Sequence, residues 1–290
     1  MSDQLRVETE LPVGRDEAYR ALTDPAQLTR WLAEHAEVDL DAGRYEFWGS
    51  TTPQGDQPHQ EGATAAGSES LAFVWVLDGV KTRVELRLAD AGDATVLRLT
   101  HAGLPTLEEL MAPSGRRDGT HAMHVFWPLA LARLVEYLDG RTELTPAADF
   151  GPDRGTEIRA EISIAAPPER VFASLIEPAQ IERWFGASGV ELEPRVGGRA
   201  TLGIDGEVTE FEPDRRITLA DSEGSIVTWQ LDGTDGGTRL TFVQSGYTDA
   251  ELDNAAQHEA GWFAALAEIR RLNELGDAWK PVIRDFPDPA

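Results

Sequence analysis

The sequence predicts two α+β domains in tandem, each a curved antiparallel sheet wrapped around one long C-terminal helix. Three observations carry this prediction. The chain repeats itself, each copy contains period-two segments separated by turn residues, and each copy closes on a long amphipathic stretch.

The repeat organises everything else. Glu8 to Leu32 matches Glu161 to Phe185, with Pro25 against Pro178 and Trp31 against Trp184, both at an offset of 153. Gly43-Arg44 then matches Gly198-Arg199 at 155, and Thr82 to Leu104 matches Ser225 to Tyr247 at 143. The stretch Trp127, Leu131, Leu134 matches Trp262, Leu266, Ile269 at 135. Order is kept and only loop lengths change, as expected of two homologous domains. The expected boundaries are 1–140 for the first domain, 141–155 for a linker, 156–280 for the second domain and 281–290 for a tail. The stretch Asp139 to Gly155 holds two prolines and three glycines with no amphipathic period. The tail carries three prolines and is expected to run extended over the surface.

Elements follow in the same order in both copies. Ile158, Ala160, Ile162 and Ile164 alternate with polar neighbours, a half-buried strand. A short helix follows, and a second opens at Asp24-Pro25 and at Glu177-Pro178, an acidic N-cap before a proline whose missing N–H costs nothing there. In the clearest hairpin Val227, Trp229 and Leu231 face Leu240 and Phe242, and DGTDGG is expected to supply the positive-φ turn positions. The closing helix of the second copy places Trp262, Phe263, Leu266, Ile269 and Leu272 on one stripe, with Glu268, Arg270 and Arg271 toward solvent. In the first copy the stripe is Trp127, Leu131, Leu134 and Leu138, and Pro128 is expected to start or kink the regular helix there. A sheet wrapping one long helix lets every element bury its apolar face.

Composition narrows the function. At 290 residues and 41% apolar content the chain is globular, with enough length for two cores. No run approaches the ~18 apolar residues of a membrane span. The first residues lack a basic segment followed by an apolar one, so no export signal is read and the cytoplasm is the expected location. The absence of cysteine excludes disulfides, thiolate catalysis and cysteine-ligated metal. A net charge of −25 repels phosphate backbones and anionic lipid, so no nucleic-acid partner is expected. Only Lys81 and Lys280 are lysines; this arginine preference points to a GC-rich bacterial genome and bears on no function.

The run from Pro167 to Trp184, and more loosely that from Val13 to Trp31, resembles the START/SRPBCC superfamily, in particular the branch named for the activator of the heat-shock-protein-90 ATPase. Gly197 to Arg199, Gly206-Glu207-Val208 and the helix start Gly261 to Leu266 support this resemblance, which spans both copies. The first copy departs from it in having Pro-Val-Gly-Arg in place of Ala-Pro-Pro and in lacking Gly-Glu-Val. The resemblance implies the helix-grip fold, with a hydrophobic cavity between sheet and long helix. It implies no single reaction, since the superfamily includes lipid carriers, polyketide cyclases, antibiotic-sequestering proteins and chaperone activators.

Candidate chemistry is sparse. His121 and His124 are three apart on one helix, but HAMHVFW supplies no further ligand, so no metal and no cofactor is expected. His101 and His124 are the candidate general bases, because an imidazole titrates near neutrality and burial tunes it. Nucleophile-elbow, dinucleotide and phosphate-loop motifs are missing. Trp31 and Trp184 read as core residues that pin the second short helix to the sheet rim. Candidate ligand-binding residues are Trp48, Phe73, Trp75, His101, His124, Trp127 and Leu131 in the first copy. In the second they are Trp229, Phe242, Gln244, Trp262 and Leu266. His101 and Gln244 are equivalent at the 143 offset, and strand parity alone leaves their facing open.

The expected function is binding of a small hydrophobic or aromatic molecule, for instance a polyketide-like natural product held for sequestration or resistance. The alternatives are an aromatase/cyclase-like or hydrolytic enzyme using a histidine of the first domain, and a co-chaperone-like protein–protein module. Oligomeric state is not legible.

Overall fold

The computed structural model describes residues 4–106, 109 and 119–286. The chain divides into two compact units: the N-terminus to Arg154 with Ala256–Gly261 and the segment from Val282, and Gly155–Ala255 with Trp262–Pro281.

The first unit runs β1 (Gln4–Leu11), α1 (Arg15–Thr23), α2 (Pro25–Trp31), β2 (His35–Asp39), β3 (Arg44–Trp48), β4 (Gln60–Ala66), β5 (Ser70–Leu77), β6 (Val80–Ala91), β7 (Ala94–Ala102) and α3 (Gly119–Leu138). The second runs β8 (Ile158–Ile164), α4 (Pro168–Ile176), α5 (Pro178–Phe185), β9 (Arg199–Ala200), β10 (Gly206–Glu212), β11 (Arg216–Asp221), β12 (Ile226–Thr234), β13 (Gly237–Ser245) and α6 (Leu252–Leu275). With β14 (Arg284–Asp285) at one edge, the main sheets are antiparallel, in the orders β14-β1-β7-β6-β5-β4 and β8-β13-β12-β11-β10-β9, while β2 and β3 form a separate ribbon. Each unit is thus a meander whose last strand returns beside its first, with a long helix following: the tandem helix-grip fold. Alternation works as the sequence implies, for β8 buries every second residue from Ile158 to Ile164.

Two further interactions repeat at the sequence offsets. The indole N–H of Trp31 donates to the Ala21 carbonyl at 3.0 Å, and that of Trp184 donates to the Ser174 carbonyl at 2.8 Å. These hydrogen bonds pin the second short helix to the first one, and the Trp184 ring also meets Trp229 on β12. The Thr95 hydroxyl donates to the Val13 carbonyl at 2.8 Å, and the Thr238 hydroxyl to the Ala166 carbonyl at 2.7 Å, tying the last strand to the entry of the first helix.

Several local expectations are revised. Asp24 caps α2 through its Oδ1, which accepts the Ala26 N–H at 2.9 Å, but Glu177 makes no such bond at α5. Its extra methylene carries the carboxylate past the first-turn amides. Pro128 does not start α3 but lies inside it. Arg270 is buried, because α6 packs residues on more of its circumference than one stripe. The tail contributes a short strand, β14 (Arg284–Asp285), paired with β1.

Turns revise the picture as well. Asp78 and Gly79, at φ 50° and 79°, make the two-residue connection between β5 and β6 with both residues left-handed. In DGTDGG, however, Thr234 pairs with Gly237, and the turn residues Asp235 and Gly236 lack positive φ. Gly237 takes φ 155°, and a Cβ there would lie 2.1 Å from the Ile164 carbonyl oxygen, whereas one on Gly236 would meet nothing. We expect Gly237→Ala to destabilise the second domain by more than about 2 kcal/mol and Gly236→Ala by less than ~0.5 kcal/mol, read by urea unfolding.

Candidate functional site

The site in each domain lies where the last long strand meets the long helix. On β7, Leu97, Leu99 and His101 share the buried face; on β13, Leu240, Phe242 and Gln244 do. Both polar residues therefore point inward. Each meets the tryptophan at the start of its helix's apolar stripe. The Trp127 indole N–H donates to Nδ1 of His101 at 2.9 Å, and the Trp262 indole N–H donates to Oε1 of Gln244 at 2.7 Å.

A hydroxyl completes the chain in both domains. His101 Nε2 lies 2.8 Å from Thr82 Oγ1, and Thr82 in turn donates to the Trp75 carbonyl at 2.7 Å. In the second domain Gln244 Nε2 donates to Ser225 Oγ at 3.3 Å. Thr82 and Ser225 are related by the same offset of 143. Because the indole can only donate, Nδ1 must be the unprotonated nitrogen and Nε2 carries the hydrogen that goes to Thr82. Glutamine reproduces this polarity, accepting from tryptophan and donating to a hydroxyl. Burial pushes the His101 pKa down to about 3, with the neighbouring His124 adding a smaller push in the same direction.

Aromatic rings surround each chain. In the first domain Trp75 stacks nearly parallel to His101, at 6.2 Å between centroids and 6° between planes. It also meets Phe47, Phe73, Phe126 and Trp127 at 5.0 to 6.4 Å. Tyr45 closes the group against Phe73, and burial raises its phenol well above the ordinary range. In the second domain Trp229 meets Phe242 at 4.6 Å, Trp262 at 5.4 Å and Trp184 at 6.1 Å. Gly203, at φ 70°, makes room for Trp262: a Cβ there would lie 2.4 Å from the indole ring.

Trp75 and Trp229 share one further property. Both are buried, and neither indole N–H has an acceptor. Their alternatives in the fold, Trp31, Trp127, Trp184 and Trp262, all donate to protein atoms.

Of the sequence candidates, Phe73, Trp75, His101 and Trp127 come together in the first domain, and Trp229, Phe242, Gln244 and Trp262 in the second. Leu131 and Leu266, one helical turn beyond the tryptophans, are buried. Trp48 stands apart, since it alternates away from Phe47 and stacks on His35 at 5.3 Å. His124 is half-buried and bonds the Pro105 carbonyl at 3.2 Å, with burial lowering its pKa. Among the described residues no group of three His, Asp or Glu is placed to hold a metal ion, and no helix is long and apolar enough to cross a membrane. Sequence reasoning missed Tyr45, Phe47 and Phe126, and with them Thr82 and Ser225. The alternation in RYEFW carried the signal for Tyr45 and Phe47, and the opening residues of the segments matched at 143 carried that for Thr82 and Ser225.

This arrangement defines helix-grip domains with aromatic interiors. A family model described as Activator of Hsp90 ATPase homolog 1-like protein matches residues 12–139 and 165–274, and the chain belongs to that family. Solved structures similar to it include protein MLL2253 from Mesorhizobium loti, 27% identical over 40% of this chain and 95% of that one, with TM-score 0.36. DynU16, described as a putative protein in the dynemicin biosynthetic locus, is 18% identical over 92% of this chain and 97% of its own, with TM-score 0.36. The Aha1 dimer from Colwellia psychrerythraea is 19% identical over 42% and 99% respectively, with TM-score 0.38. No curated protein matches.

The histidine and glutamine forms of the chain make a natural comparison. The unfolded chain protonates His101 near the ordinary histidine value of 6.5, whereas the folded domain resists until about 3. The neutral form is favoured in the fold, so this stability is complete above about pH 6.5 and is lost as pH falls toward 3. We expect His101→Gln to fold at pH 7 and, between pH 7 and pH 4, to lose about 3 kcal/mol less than the wild type in denaturant titrations. Equal losses would contradict the assignment.

Proposed function

We propose that this chain is a binding protein for a small apolar or aromatic molecule carrying a hydrogen-bond acceptor, held between sheet and long helix. The observation that carries this reading is the pair of buried indole N–H groups, Trp75 and Trp229, that find no acceptor in the protein. An unsatisfied buried donor costs about 1–3 kcal/mol, and a ligand oxygen at hydrogen-bond distance recovers much of it. The surrounding rings supply the apolar contact that such a molecule needs.

Electrostatics narrows the ligand. The titratable side chains within the first aromatic group, Tyr45 and His101, are both held in their neutral forms by burial. Neither offers a counter-charge, which favours a neutral ligand. The same geometry argues for binding over proton transfer. His101 has both nitrogens committed, one accepting from Trp127 and one bonded to Thr82, so no lone pair is left to act as a base.

Native purification followed by denaturation and mass spectrometry identifies what co-purifies, and that compound is then titrated back. At 100 times its Kd a bound ligand stabilises a domain by about 2.7 kcal/mol, visible as a rise of several degrees in Tm. Trp75→Phe and Trp229→Phe keep an aromatic side chain but remove the donor and part of the indole's volume. Each is expected to leave the domain folded while weakening binding about fivefold or more. If nothing is released, and no member of a panel of neutral aromatic carbonyl compounds shifts the Tm, the reading is wrong.

A further inference from the structure

The tail strand does more than run over the surface. β14 pairs antiparallel with β1 through Glu8 opposite Arg284 and Val7 opposite Asp285. Side chains two apart on a strand share a face, so Arg284 and Phe286 lie on the same side, as do Arg6 and Glu8. On that side the Arg6 and Arg98 guanidiniums stand 5.3 and 5.6 Å from the centre of the Phe286 ring. Glu8 lies between two cations, accepting from Arg98 Nε at 3.1 Å and pairing with Arg284 at 3.5 Å. Arg98 sits directly across from Glu8 on β7, so Arg284, Glu8 and Arg98 form a row of alternating charge across three strands. The carboxylate thus holds Arg98 where it meets the ring.

The second domain lacks this arrangement. Arg159 and Glu161 on β8 stand where Arg6 and Glu8 stand on β1, but Thr241 occupies the position of Arg98. One guanidinium of the clasp is missing there. The clasp is therefore a property of these side chains and not of the fold.

We propose that the β1 edge with Arg6, Glu8 and Arg98 is a docking groove for an extended segment of the pattern basic–any–aromatic, and that the chain's own Arg284–Phe286 occupies it. Backbone pairing supplies affinity and the two side-chain positions supply selectivity, the logic of strand addition to a sheet edge. The strand pairing itself is short, two residue pairs, supplemented by the Phe286 ring and the Arg284–Glu8 ion pair. Tethering holds the tail segment at an effective concentration near the millimolar range, and a free peptide must compete with it. Cover at this edge also shields β1 from pairing with another chain.

The test uses the full chain and a fluorescently labelled peptide of the sequence from Pro281 to Phe286. By polarisation, Phe286→Ala protein is expected to bind this peptide at least fivefold more tightly than wild type, since its own tail no longer fills the clasp. Adding Arg98→Ala to that variant is expected to weaken peptide binding at least threefold. A second measurement covers the case of a misfolded Phe286→Ala: in otherwise wild-type protein, Arg98→Ala should speed hydrogen exchange of the β1 amides at least threefold, and Arg87→Ala should not. Equal peptide binding to wild type and Phe286→Ala, no binding to either, or exchange unchanged by Arg98→Ala would overturn the proposal.

Discussion

One indole N–H links the long helix of each domain to the last long strand of its sheet. Trp127 and Trp262 each enter a ring-lined interior, and each hands its hydrogen to a polar side chain at the end of the last strand. This constraint sets which residues can stand on the strand. The partner must accept from the indole and donate to a hydroxyl one strand away, and neutral imidazole and carboxamide both qualify. The first domain uses one and the second uses the other. Thr82 and Ser225 are the hydroxyls in each case, and in the first domain the chain of donors ends on the Trp75 carbonyl.

With the helix held this way, the ring-lined group of each domain carries a short polar thread of tryptophan, histidine or glutamine, and hydroxyl. Such a thread is stable only if its members are satisfied, because an unpaired polar group in a low-dielectric interior costs more than it returns. Trp75 and Trp229 break that rule, one in each domain and from different strands. Interiors of this kind spend stability on unpaired donors only where something else completes them, which ties these two unpaired indoles to the proposed use.

Much of the architecture was legible in the sequence. The offset of 153 between Trp31 and Trp184 and that of 143 between His101 and Gln244 correctly aligned residues that make equivalent hydrogen bonds. Period-two alternation located β8, β12 and β13 because each has one buried face. Inward facing of His101 and Gln244 was not legible, since parity holds only if a strand stays regular to its last residues. Burial of Arg270 was invisible to a one-stripe reading of the helix. Trp48 looked like its neighbours in composition, yet adjacent strand residues face opposite ways, and it ended on the far side of the ribbon from Phe47. The tail resisted reading for another reason: its prolines predict extended chain, but only the surface of β1 decides where extended chain docks.

The dependence of the fold on the two helix tryptophans is tested most directly by hydrogen exchange of the indole N–H groups, followed by NMR on the intact protein. Trp127 and Trp262 should exchange only through global unfolding of their domains, orders of magnitude more slowly than the half-exposed Trp48. Exchange of either one at a rate close to that of Trp48 would show that the helix is not held by its indole, and the account of both interiors would fail with it.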